Sequence, residues 1–269
     1  MNKNYLVNYY LNNKNEFYSE DPHEFLLSKL KKIIKPINDK NLKVIGIDVG
    51  TCIGSYLHHI QKICCENNSQ ILCFEPNPIN NEILEKSIEN IPFIKLFKCA
   101  ISNENNILPF YNFKNNQNSI GNNLGGLRSG GEKISDVEVY KLDNILDSEF
   151  NNENIIIKFI KIDTEGNDGE VIKSFQKYLH KTQYIIFECS DCLDDFRGPN
   201  IQNPMKDIVD FLSDNGFDTY RIGMLKLLKV NDEYWDQKYE DVKYWSNCFA
   251  LKKDDNLINE LIDNEFNYK

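Results

Sequence analysis

Three carboxylates crowd the end of Phe159-Ile160-Lys161-Ile162-Asp163-Thr164-Glu165-Gly166-Asn167-Asp168. The apolar run before them reads as a buried strand, and Asp168 opens a helix. There Asp168 can cap free N–H groups, while Glu165 favours the positive end of the helix. Capping does not account for Asp163 at the strand tip. In an α/β sheet the carboxyl ends of strands face the ligand crevice. A carboxylate in that position can withdraw the proton of a hydroxyl that acts as a nucleophile. Glu188, closing Ile185-Ile186-Phe187-Glu188, sits at another strand end. Neighbouring negative charges raise the proton affinity of such a base, which suits Asp163 to the task.

Two further motifs place a ligand beside these acids. Val44-Ile45-Gly46-Ile47-Asp48-Val49-Gly50-Thr51-Cys52-Ile53-Gly54-Ser55 reads as a buried strand, a glycine turn and a helix start. A dinucleotide fingerprint is G-x-G-x-x-G directly after the strand. Here the run is G-x-D-x-G-x-x-x-G, so a nicotinamide-dependent oxidoreductase is opposed by the spacing. About 20 residues on, Gln70-Ile71-Leu72-Cys73-Phe74-Glu75-Pro76-Asn77-Pro78 ends a second apolar run in an acid. A carboxylate there can accept both ribose hydroxyls of a nucleoside.

The elements that position these groups alternate. Strands are expected near 43–48, 70–75, 93–101, 155–162 and 183–188, and helices near 53–66, 79–89, 168–179 and 205–215. That alternation predicts a parallel, doubly wound α/β sheet. Ile107 to Phe113 and Val137 to Leu142 read as an added strand pair. Between them Lys114 to Asp136 is rich in Asn, Gly and Ser, longer than a simple connection needs, and Gly125-Gly126 and Gly130-Gly131 could hinge it. After Glu188 the pattern changes to one helix, an extended stretch from Phe217 to Val230 broken at Gly223, and Asn247 to Leu251, an antiparallel C-terminal hairpin. Residues 1–40 form an N-terminal helical extension. Its helix starts with Asp21 as cap and Pro22 at the first position, carries Phe25, Leu26, Leu30, Ile33 and Ile34 as a stripe, and ends at Pro36. Residues 41–269 form the main domain, with the motifs in 41–190 and a substrate-side part in 191–269.

The 269 residues carry a net charge of −10 and are 41% hydrophobic. That balance weighs against phosphate-backbone binding, so no nucleic acid partner is expected. No run reaches the roughly 20 apolar residues of a membrane helix, and Met1 to Ser19 has no apolar signal region, so a cytoplasmic location and no membrane partner are expected. Eight cysteines (Cys52, Cys64, Cys65, Cys73, Cys99, Cys189, Cys192 and Cys248) sit mostly beside apolar residues and read as reduced core thiols. Cys189 and Cys192 make a lone C-x-x-C, and His23, His58, His59 and His180 offer no matching metal spacing. Asp191, Asp194 and Asp195 read as a solvated acidic loop. A divalent metal is open in principle but not expected. His58 and His59 read as helix packing or surface residues, and His23 becomes a candidate only if its helix covers the site.

In these motifs the chain resembles the FkbM family of S-adenosylmethionine (SAM) methyltransferases. The carrying segments are Ile47 to Gly54, Phe74 to Pro78, Cys99 to Ser102, Leu142-Asp143, Lys161 to Asp168 and Ile185 to Glu188, in family order. The family usually has a small residue followed by Asn where this chain has Thr51-Cys52. The resemblance implies a class I SAM methyltransferase (Rossmann-like) fold, with a mostly parallel seven-stranded sheet and helices on both faces. It also implies O-methylation, most often of a sugar or polyketide hydroxyl, with SAM as cofactor and S-adenosylhomocysteine (SAH) as product. Carried over by residue, Asp48, Gly50, Thr51, Gly54 and Ser55 would shape the methionine end of the pocket. Glu75, Pro76 and Asn77 would hold the ribose, and Ala100, Ile101 and Ser102 would flank the adenine. Asp163 would reach both cofactor and acceptor, with Glu165 and Asp168 beside it as the catalytic acids. Asn118, Ser119 and Glu188 would meet the substrate, and Tyr220, Trp235, Tyr239, Tyr244 and Trp245 offer rings that could stack on a sugar.

The reading that results is an O-methyltransferase acting on a sugar, in a glycan or a nucleotide-sugar. Alternatives are an RNA cap or ribose methyltransferase and a non-catalytic SAM-binding interaction protein. A homo-oligomer is left open.

Overall fold

The computed structural model describes residues 2–18, 21–112, 125–127, 132–151, 153–188, 204–241 and 246–264. Helices α1 (Lys3–Asn12) and α2 (Asp21–Ile33) precede β1 (Lys43–Val49), α3 (Leu57–Ile63), β2 (Ser69–Phe74), α4 (Pro78–Ile88) and β3 (Ile94–Phe97). A small sheet follows, from β4 (Ala100–Ile101), β5 (Asn106–Asn112), β6 (Gly125–Gly126) and β7 (Glu132–Tyr140). The chain returns to the main sheet through α5 (Leu142–Glu149), β8 (Ile155–Ile162), α6 (Asp168–Ser174) and β9 (Thr182–Glu188). It ends with α7 (Met205–Asp214), β10 (Phe217–Ile222), β11 (Leu227–Lys229), α8 (Lys238–Asp241), β12 (Asn247–Lys252) and α9 (Leu257–Asn264).

The main sheet has the order β3-β2-β1-β8-β9-β12-β10-β11. The first five of these strands are parallel, and β12, β10 and β11 each pair antiparallel with their neighbours. This is the expected class I arrangement, parallel with an antiparallel C-terminal end. It has an eighth strand because the 217–230 stretch folds back on itself at Gly223. A side chain there would lie 2.6 Å from the Phe17 ring and 2.7 Å from a Glu16 carboxylate oxygen. Strands β1 to β3 run outward one way and β8 and β9 the other. The order therefore reverses between β1 and β8, and their carboxyl ends open a crevice.

Strands buried on both faces need near-continuous apolar runs, which is why β1 and β8 stand out in the sequence. One face packs Ile45, Ile47, Ile155, Ile157, Ile160 and Ile162 against α1, α5, α6 and α7. The other packs Val44, Phe159 and Ile186 against α2, α3 and α9. Between Ile157 and Phe159 the pairing with β1 slips by one, leaving Lys158 as the extra residue of a bulge. The bulge moves Phe159 and Lys161 to the α2–α3 side. Lys158 is buried there and bonds Glu66, which also accepts the N–H of Ile37.

Several boundaries differ from expectation. The 93–101 strand splits into β3 and β4, which belong to different sheets. Leu142 starts α5 rather than ending a strand, burying Leu142, Ile145 and Leu146 at helical spacing. The helix expected over 168–179 becomes α6 followed by a 3-10 turn over Gln176–Lys181. Helix α3 begins only at Leu57, because the glycine loop takes up the preceding residues. Helix α1 was not foreseen. Its Leu6, Val7 and Tyr10, with Phe17, pack in the same cluster as β1 and β8. Helix α2 starts at Asp21 itself, one residue before the expected first position Pro22. The Gly130-Gly131 pair and most of the long Asn-rich loop lie outside the described residues, while Gly125-Gly126 forms β6. Among the described residues no helix is long and apolar enough to cross a membrane.

Candidate active site

The crevice between β1 and β8 holds a cavity of about 270 Å³. Its floor is the glycine loop. The N–H groups of Gly50 and Thr51 both donate to the carbonyl of Phe74, at 3.0 and 3.1 Å. The Thr51 hydroxyl donates to the Asp48 carbonyl at 2.9 Å. Gly50 has φ +80° and Gly54 φ +90°. A Cβ on Gly50 would sit 1.8 Å from the Asp163 carbonyl oxygen, so the β1 and β8 tips meet only because the residue is glycine. Cys52, between the glycines, also adopts a left-handed conformation, with φ +53°.

Glu75 closes β2 and ties the loop. One carboxylate oxygen accepts the N–H of Cys52 at 2.8 Å, and the other accepts that of Asn77 at 2.8 Å. Burial pushes this carboxyl up to about 7, against the pull of those bonds. It borders the cavity beside Pro76. Asn77 itself is fully buried and caps α4 by accepting the N–H of Ile79, with Pro78 at the first helical position.

The acids at the β8 tip divide. Asp163 and Glu165 border the cavity, and Glu165 is held at φ +56° ahead of Gly166 at +97°. Strained backbone of this kind is kept where a site needs a side chain aimed. Asp168 is fully buried behind them. One of its oxygens accepts the Thr164 hydroxyl at 2.9 Å, and the other accepts the N–H of Glu188 at 3.2 Å. Burial raises it to about 6. It latches the β8–α6 turn to the tip of β9.

A residue that the sequence reading passed over lies among these acids. Lys161 is 1% exposed, yet borders the cavity. Its ammonium is 3.0 Å from an Asp163 oxygen, 4.0 Å from Asp48 and 4.6 Å above the centre of the Tyr56 ring. The signal was a charged residue inside an apolar strand run. Asp48 pairs with Lys161 across β1 and β8 and is raised to about 6, first by burial.

The walls are apolar. Phe74, stacked on Phe97 at 4.9 Å, Ala100 and Ile101 line one side, and Phe110 of the small sheet and Leu127, just after β6, line another. Asn167 bonds the Ile101 carbonyl at 2.9 Å and so anchors β4 to the start of α6.

Of the expected site residues, Gly50, Thr51, Ser55, Glu75, Pro76, Ala100, Ile101, Asp163 and Glu165 meet at this cavity. Asp48, Asn77, Ser102, Asp168 and Glu188 are buried and do not border it, Glu188 lying at the β9 tip, and Gly54 of the glycine loop does not border it either. Asn118 and Ser119 lie outside the described residues, as do Cys189, Cys192, Asp191, Asp194, Asp195, Tyr244 and Trp245. Tyr220 and Tyr239 are buried in the two cores and Trp235 packs against one of them, so these rings serve packing. His58 and His59 lie on α3, where burial drives His59 down to about 4. Cys64, Cys73 and Cys99 are buried free thiols, and Cys248 is buried in the core. Among the described residues no cluster of three metal-ligating side chains occurs.

The donor set suits a cationic nucleoside: a buried carboxylate at the β2 tip for hydroxyls, carboxylates at the β8 tip for positive charge, and flat apolar walls for a base. The profile of the methyltransferase FkbM domain family matches residues 48–219. No curated protein matches the chain. Among solved structures, methyltransferase FkbM from Methylobacillus flagellatus KT is 15% identical with a TM-score of 0.45, covering 92% of this chain and 53% of that one. The chain thus spans about half of that protein's length. Precorrin-6y C5,15-methyltransferase from Geobacter metallireducens is 12% identical with a TM-score of 0.42, covering 89% and 94%. Aeropyrum pernix fibrillarin, in complex with S-adenosyl-L-methionine, is 10% identical with a TM-score of 0.43, covering 85% and 74%.

Proposed function

The chain belongs to the FkbM methyltransferase domain family, a family of SAM-dependent methyltransferases, and from that membership we propose that it methylates a hydroxyl oxygen of a sugar. The observation that carries this reading is that Glu75, the glycine loop, Asp163 and Glu165 border one cavity. SAM supplies the activated methyl group when bound, on a sulfonium. The protein's part is to align donor and acceptor in line and to manage the acceptor's proton.

In this proposal Glu75 takes the ribose hydroxyls, and the walls from Phe74, Ala100, Ile101 and Phe110 take the adenine. The loop of Gly50, Thr51 and Ser55 takes the amino-acid tail. Asp163 and Glu165 stand at the reacting end, where one of them removes the acceptor's proton as the new bond forms. Asp48, Asn77, Ser102 and Asp168 hold these groups from behind. O-methylation is the family's usual sense, and the sugar as acceptor rests on it. Net charge −10 weighs against an RNA acceptor.

Calorimetry with SAM and SAH, with NAD as control, tests the cofactor. Micromolar binding of either, without NAD binding, is the expected outcome, and sugar acceptors would then be screened for methyl uptake. Absence of SAM and SAH binding would overturn the reading, and binding without transfer to any acceptor would favour a non-catalytic SAM-binding protein.

A further inference from the structure

Lys161 is an anomaly in its strand. It is a lysine with 1% exposure, set in a run of isoleucines and phenylalanines. Buried ammonium groups are costly unless paired. Here the pairing is lopsided. Asp163 is in hydrogen-bond contact at 3.0 Å, while Asp48 lies at 4.0 Å. From beneath, the Tyr56 ring meets the ammonium at 4.6 Å, and the His23 ring stacks on Tyr56 at 4.8 Å. The lysine is therefore held from β1 through Asp48 and from the segment before α3 through Tyr56, whose ring is in turn stacked on His23 of α2. At the cavity it meets Asp163, which is itself partly open to it, and the Tyr56 ring, which also lines the cavity.

We propose that Lys161 is a positioning residue that fixes the direction of the Asp163 carboxylate and commits it to receiving the positively charged amino group of the donor's tail, leaving Glu165 to take the acceptor's proton. The inference rests on the SAM-dependent reading above. Lys161 competes for the lone pairs that a proton would occupy on Asp163, whereas a cationic ligand is attracted by whatever negative charge remains. Asp48, Asp163 and Lys161 together hold two carboxylates to one ammonium, and Glu165 borders the same cavity, which suits an incoming cation. Without the lysine, Asp163 can turn and Asp48 stands uncompensated in the core.

A double-mutant cycle on SAH binding tests it, using Lys161→Met, Asp163→Asn and the pair of substitutions together. The expected result is that each single variant weakens SAH binding by about 10- to 100-fold, and that the double variant is no weaker than Asp163→Asn alone. Independent, additive losses would overturn the proposal, as would wild-type affinity in Lys161→Met. A thermal melt checks folding. If Lys161→Met does not fold, Asp48→Asn/Lys161→Met takes its place against an Asp48→Asn reference, and failure of that variant too would assign Lys161 to the fold alone and overturn the proposal. Wild-type protein that binds neither SAM nor SAH would instead overturn the methyltransferase reading, a result distinct from all of these.

Discussion

A Cβ placed on Gly50 would lie 1.8 Å from the carbonyl oxygen of Asp163. The glycine loop and the acidic strand tip are therefore one assembly, further joined by the Asp163 N–H donating to the Val49 carbonyl at 2.9 Å. A glycine that the sequence suggests is there for a ligand is demanded first by the neighbouring strand.

Substituting Gly50→Ala should then disrupt the site even without ligand. The clash is with backbone, which cannot swing away, and φ is +80°. A loss of about 3 kcal/mol or more is expected. Urea denaturation of the free protein measures it, and a loss confined to SAH binding would show that the strands can part cheaply.

Cys52→Asn should act in the opposite sense. Cys52 holds φ +53°, a region Asn tolerates better than Cys. Its bond to Glu75 comes from the backbone and survives. A gain of about 1 kcal/mol in stability is expected, read as a higher denaturation midpoint. An unchanged or lower midpoint would mean that the thiol's packing beside Asn80 matters more than backbone strain.

Glu75 gives a pH signature. Its carboxyl is raised from 4.5 to about 7 by burial. Between those values the folded state holds the proton that the unfolded state has released, so this group's contribution to stability falls as pH rises through the window. Asp48 and Asp168, raised to about 6, act in the same direction lower down, and His59, lowered from 6.5 to about 4, opposes them between its two values. Above pH 6.5 Glu75 dominates this group. The denaturation midpoint should drop between pH 6.5 and 7.5 in wild type and stay level in Glu75→Gln. That variant should also lose about 1–3 kcal/mol, because either orientation of its amide sets an NH₂ against the N–H of Cys52 or Asn77.

Asp163→Asn and Glu165→Gln should separate binding from turnover. Asp163→Asn is expected to raise the apparent KM for SAM, and Glu165→Gln to lower kcat by about 100-fold or more with SAH affinity nearly kept. The reverse pattern would return the role of base to Asp163.

Asp168→Ala should behave as a structural lesion. It strips partners from the Thr164 hydroxyl and from the Glu188 N–H in a fully buried place. A loss of about 2–4 kcal/mol is expected, with weaker SAH binding as a secondary effect. Full stability with lost turnover would place Asp168 in the chemistry itself.

Much of this arrangement was legible in the sequence because it depends on local chemistry. Apolar runs ending in Asp163, Glu75 and Glu188 are strands buried on both faces, and their order sets the sheet. The Asn77-Pro78 cap of α4 is a signal of the same local kind, and the helix expected near 79–89 does not draw on it. What escaped depended on contacts distant in the chain. Helix α1 is polar enough to pass as an extension, and only the packing of Leu6 and Tyr10 on the core shows its place. In sequence Lys161 belongs to a motif and does not stand out as a buried charge, since nothing local brings Asp48 and Tyr56 against it. The split of 93–101 follows from which sheet each half joins, a choice made by β7.

The extra residue at Lys158 acts on β8 as a frame does on a reading. Successive side chains of a strand alternate between faces, so one inserted residue reverses the assignment of everything after it. With the bulge, Ile160 and Ile162 meet one core and Lys161 meets Asp48. Deleting a single residue there would exchange them, turning an ammonium into the hydrocarbon layer and isoleucines toward the carboxylates. The chemistry at the strand tip is thus encoded by a count of residues as well as by their identities.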